Sequence, residues 1–136
     1  MKKHVLRTSI MALLVAVAGH AQSSLPLSAW IPFNFVAGGA TFKAGQYTVH
    51  QNNFGPTDIR SADGKTAAFL TAPARQCTGV QSTSRLIFDR YGSTYILSQI
   101  WTRGDKCGRE LPPDKREREL SAKHRSPDET IVLAAR

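Results

Sequence analysis

Along this chain, apolar and polar positions alternate in short runs separated by turn residues, which is the period of half-buried strands. Residues 30–36 (Trp-Ile-Pro-Phe-Asn-Phe-Val) read as a first strand with Phe33 and Phe35 on one face. Pro32 has no N–H to give to a ladder, so this strand belongs at a sheet edge or begins near the proline. Gly38-Gly39 ends the run and Ala44-Gly45 marks another turn. Tyr47 to His50 resumes the alternation, with Tyr47 and Val49 inward and Thr48 and His50 outward. After a loop at 52–56, residues 58–62 and 65–71 flank Asp63-Gly64, a pair suited to a type I′ hairpin turn. Residues 72–84 are small and polar and read as a loop.

The densest β-branched and aromatic runs are 85–91 and 94–101. Gly92-Ser93 between them suits a II′ turn, which needs positive φ at its first central residue. Opposed residues then have numbers summing to about 185, and a three-residue loop would shift the register by one. Pro112-Pro113 next opens a helix over 115–123. Glu119 and Lys123 hold the favourable i,i+4 orientation. Leu120 is the only large apolar side chain there, so the helix is short and mostly solvated. Ser126-Pro127-Asp128 breaks it, and 130–134 reads as a last strand that pairs with an earlier one. Six or seven short strands and one late polar helix predict an all-β fold, a small antiparallel β-sandwich or barrel. No internal repeat or low-complexity tract interrupts it.

The N-terminus follows a different pattern. Lys2, Lys3 and Arg7 precede an unbroken apolar run, Ile10 to Ala18, too short to span a bilayer. Gly19-His20-Ala21 then places small residues at −3 and −1. This is the layout of a secretory signal, residues 1–21, cleaved between Ala21 and Gln22. It leaves 22–136 as a single β domain without a membrane span, in the periplasm or outside the cell. The residue directly after Ala21 is Gln22 and not a cysteine, which argues against a lipoprotein-type anchor. Removing the three basic residues of the signal takes the 18 Lys and Arg to 15, against 10 Asp and Glu, so the formal charge falls from +8 to +5. A moderate positive charge favours solubility and weak attraction to anionic surfaces.

Cys77 and Cys107 are the only cysteines, in a chain addressed to an oxidising compartment. Their numbers sum to 184, so in the frame of the 85–101 hairpin both emerge from its open end, in loops with slack. The expectation is a disulfide, with two free thiols or a two-cysteine metal site as alternatives. A metal would need further ligands, and no Cys-x-x-Cys or His-x-x-x-His spacing supplies them.

Candidate chemistry is sparse. His50 falls on the outer face of a strand and His124 at the end of a polar helix, both surface positions. The sequence has no Gly-x-Ser-x-Gly elbow, His-Glu-x-x-His pair, phosphate loop or Gly-x-Gly-x-x-Gly turn. The acids Glu110, Asp114, Glu117 and Glu119 alternate with bases as a solvated charged face. Lys115, Arg116, Arg118, Lys123 and Arg125 form a candidate anion-contact patch for envelope polyanions. Glu117 and Glu119 neutralise it locally, and no aromatics interleave as single-stranded nucleic acid would require. No cofactor is indicated.

Phe33-Asn34-Phe35-Val36-Ala37-Gly38, Ala44-Gly45-Gln46-Tyr47-Thr48-Val49, Arg90-Tyr91-Gly92 with 95–101, and Gly108-Arg109-Glu110-Leu111-Pro112 with Arg116-Glu117-Arg118-Glu119 resemble a group of small uncharacterised exported proteins abundant in acidobacteria. The resemblance covers most of 22–136. It implies neither a reaction nor site residues, and the cysteine pair stands outside its pattern. The expected function is a non-enzymatic exported β domain with a structural or interaction role at the bacterial cell envelope, its partner an envelope polyanion or another protein. The alternative is a binding module for a small apolar ligand, in a barrel or inter-sheet pocket lined by Phe33, Phe35, Tyr47, Phe69 and Phe88. A hydrolase is the third reading.

Overall fold

The computed structural model describes residues 25–52 and 55–136. The expected signal peptide and its cleavage site at Ala21-Gln22 lie outside the described residues. The chain forms a small all-β sandwich. Its strands are β1 Leu27–Ile31, β2 Phe35–Ala37, β3 Ala40–Phe42, β4 Gly45–His50, β5 Thr57–Ser61, β6 Ala67–Leu70, β7 Ala74–Cys77, β8 Ser84–Tyr91, β9 Thr94–Trp101, β10 Cys107–Glu110 and β11 Glu129–Ala135. The helix is α1, Lys115–His124.

The first sheet has the order β1-β4-β5-β6, and the second runs β11-β8-β9-β10-β7. β2 lies parallel to β9 at Val36 and Ile96, and β3 pairs with β2. The sheets are joined along one side. Ser28 N–H donates to the Arg136 carbonyl at 2.7 Å, and Arg136 N–H donates back at 2.9 Å.

Among aliphatic neighbours, aromatic side chains form a connected cluster in the space between the sheets. Phe33 stacks on Tyr95 with centroids 4.0 Å apart, and Phe35 meets Phe42 at 5.1 Å, Tyr47 at 5.2 Å and Phe88 at 5.4 Å. Phe35, Phe42 and Phe88 are fully buried, each stabilising the fold by roughly 1.5–3 kcal/mol relative to exposure.

The expected first strand is two strands. Pro32 ends β1's ladder, and the chain crosses at 32–34 from the first sheet to the second. Tyr47 and Val49 are buried while His50 is exposed, as the alternation requires. Asp63-Gly64 does not form a type I′ turn. Gly64 N–H bonds the Ser61 carbonyl at 2.9 Å, and only Gly64 has positive φ, because the loop from 62 to 65 is longer than the I′ geometry allows. The stretch expected to be a loop at 72–84 contains β7.

The central hairpin has its expected register. Tyr91 opposes Thr94 and Phe88 opposes Leu97, until a bulge between Ile87 and Phe88 shifts Leu86 opposite Ile100. Gly92 has φ 61 and Ser93 has no positive φ, as a II′ turn demands. β11 pairs along the whole of β8.

Phe69 is the clearest correction among the inward aromatics. It is 71% exposed, while Leu70 beside it is 1% exposed. Ala68, Leu70 and Ala72 share the inward face, and three apolar positions outweigh one, so Phe69 faces solvent.

Candidate interaction surface

Helix α1 is where the predicted basic residues meet. Asp114 caps it, its Oδ1 accepting the Glu117 N–H at 2.7 Å directly after Pro112-Pro113. Leu120 rests on a small cluster of Val36, Tyr91 and Ile96, distinct from the main core. Lys115, Arg116, Arg118, Lys123 and Arg125 are all exposed. Arg118 Nε donates to the Asp114 carbonyl at 3.3 Å, and Arg125 closes the helix with φ 62. The ion pair that forms is Lys115 with Glu119 at 4.0 Å, rather than Glu119 with Lys123. Reaching back one turn from Glu119 spans the same i,i+4 distance, and with both partners exposed such pairs are worth only tenths of a kcal/mol either way. Arg116 also borders a shallow groove with Asn34, Thr41, Ser93 and Tyr95.

Docking Leu120 turns Glu117 towards the sheet as well, since residues three apart share a helix face. Glu117 is half-buried, and its carboxyl is pushed up to about 7. Burial is the largest cause, followed by the charges of Asp89, Asp114 and Glu110. The Tyr91 hydroxyl is raised above its usual value by burial, then by Glu117 and Asp89. Glu117 therefore does not belong to the solvated face expected of the four acids of 110–119. The signal for it was its spacing from Leu120, the helix's one apolar anchor.

The other predicted positions stay apart. His50 is exposed on the first sheet, and His124 is exposed at the end of α1, its Nδ1 4.0 Å from Asp128 Oδ1. Among the described residues, no group of three or more His, Cys, Asp and Glu side chains is arranged to hold a metal.

Cys77 and Cys107 form a disulfide. They do not sit in slack loops as expected. Each lies in a short strand, and the two are direct partners in the β7–β10 ladder. β10 lies on β9 and carries β7 outside it, so the bridge fastens the outermost strand of the second sheet.

Two large apolar side chains stand exposed on the outer face of the first sheet, Trp30 on β1 and Phe69 on β6. No helix among the described residues is long and apolar enough to cross a membrane. No protein-family model, curated protein or solved structure matches the chain.

Proposed function

We propose that this protein is an exported bacterial β domain with a non-enzymatic, structural or interaction role at the cell envelope, in the periplasm or outside the cell. The observation that carries this reading is the filled interior. Phe33, Phe35, Tyr47 and Phe88, four of the aromatics that would line an apolar ligand pocket, touch one another or Phe42 and Tyr95 instead. Recognition then belongs to the surface, where α1 and its C-cap Arg125 present five basic side chains to solvent. Their chemistry suits the phosphate and carboxylate groups of envelope polymers.

Export is supported by the signal-like layout of 1–21, by the resemblance to small exported acidobacterial proteins, and by the disulfide, which persists in oxidising compartments. The test is co-sedimentation of the oxidised domain with an isolated bacterial envelope fraction at low and high salt. Retention that falls with salt, and that drops for Arg116→Glu with Lys123→Glu, is the expected result. Recovery in the supernatant at every salt concentration contradicts the polyanion role.

A further inference from the structure

We propose that the free edge of β6 is a docking site for a second copy of this chain, the two β6 strands pairing antiparallel across a two-fold axis. This goes beyond the envelope reading, and either can fail without the other.

The main-chain hydrogen bonds fix which groups face outward. Ser61 N–H donates to the Thr66 carbonyl at 2.8 Å, so Thr66 faces β5. In an antiparallel ladder alternate residues face the same neighbour, so Ala68 and Leu70 also face β5, opposite Ile59 and Thr57. On β5's other side, Ala62 N–H donates to the Gln46 carbonyl at 2.9 Å, the same alternation seen from β4. The N–H and C=O groups of Ala67 and Phe69 therefore point away from the sheet. β6 is the terminal strand of its sheet, and among the described residues no strand pairs with that side.

Edge strands are ordinarily guarded by charge, proline or bulges. β6 is short, at four residues, but carries no charge, proline or bulge. From Thr66 to Ala72 the chain carries no charge, no proline and no glycine, the composition that favours strand-to-strand pairing. β7, at the far end of the other sheet, is preceded by Pro73, contains Arg75 and is fastened by its disulfide. Room at the β6 edge is provided by a groove that Phe69 and Thr71 share with Leu111, Pro112, Pro113 and the carboxylate-bearing Asp114.

A second copy fits this edge by its own symmetry. With Ala67 set against Phe69 of the second copy, all four outward groups of each strand find partners. The exposed Phe69 ring then lies beside the smallest side chain on the strand. Lys65 falls opposite Thr71 of the second copy, so no like charges meet.

The experiment is sedimentation velocity on the oxidised protein over about 1 to 100 μM, in the range of weak, small interfaces. Dimer is expected to grow with concentration. Ala67→Pro removes an outward N–H and no bond to β5, and Phe69→Lys places a charge at the edge without disturbing the core. Both variants should keep the native circular dichroism spectrum and weaken the dimer at least tenfold. Val132→Lys, at an exposed apolar position on β11, should leave it intact. A monomer at every concentration overturns the proposal. So does a dimer that both edge variants leave unchanged, or one that Val132→Lys abolishes equally.

Discussion

Cys77 and Cys107 stand opposite each other with their Cα atoms 4.0 Å apart. The next pair along is the hydrogen-bonded one, Thr78 N–H to the Lys106 carbonyl at 3.1 Å. The cysteines therefore occupy a non-hydrogen-bonded site, where antiparallel strands approach most closely. Closing a loop across a sequence separation of 30 constrains the unfolded chain by roughly 3–4 kcal/mol. Cys77→Ser with Cys107→Ser should lower the stability by about 2–5 kcal/mol in urea unfolding. A double variant as stable as the oxidised protein would remove the bridge from the account.

Glu117 makes part of the stability pH-dependent. Its carboxyl is raised from an ordinary 4.5 to about 7 on folding, so the folded state holds the proton more tightly. That contribution is complete below about pH 4.5 and is lost as pH rises through about 7. Discounted for solvent screening at a half-buried site, it amounts to about 1 kcal/mol. Glu117→Gln stays neutral, so its stability relative to the native chain should rise between pH 5 and pH 8, read as the difference in urea midpoint. A constant difference across that range would show that Glu117 is solvated.

Two glycines are required for different reasons. Nothing lies within 4 Å of a Cβ added at Gly92, so the cost of Gly92→Val there comes from its positive φ, roughly 1–3 kcal/mol. A Cβ at Gly108 would run into Cε2 and Cζ2 of Trp101, a buried ring with the Arg85 guanidinium 4.9 Å from its centroid. Gly108→Ala should cost about 1–3 kcal/mol by overpacking. Thermal melting checks both, and a Gly108→Ala protein with native Tm would mean that Trp101 has room to move.

The outward placement of Phe69 has its own check. Leu70→Ala should cost about 2–5 kcal/mol, as large-to-small changes in cores do. Phe69→Ser should stay within about 0.5 kcal/mol of the native protein. The reverse order would mean that β6 is turned over.

Alternation and turn chemistry made much of this fold legible in the sequence. Tyr47 and Val49, the Gly92-Ser93 turn and the helix after Pro112-Pro113 were all readable because each depends on residues close in the chain. Three features were not readable, for one physical reason. Phe69's direction, β7's strand character and Glu117's burial are each decided by a distant partner: Ile59 and Thr57 across from β6, Cys107 and Gly108 across from β7, and Val36, Tyr91 and Ile96 under Leu120. The disulfide was expected from the hairpin frame, but its direct strand-to-strand setting depends on β10 lying between β9 and β7.

The most direct test of an exported, disulfide-closed domain is the intact mass of the protein recovered from the periplasm or medium, measured before and after thiol alkylation without reduction. The expected species is a chain beginning at Gln22, lighter by two hydrogens than its reduced form and unchanged by alkylation. A recovered chain that still carries Met1 to Ala21, or one that takes up alkyl groups at Cys77 and Cys107, would contradict it.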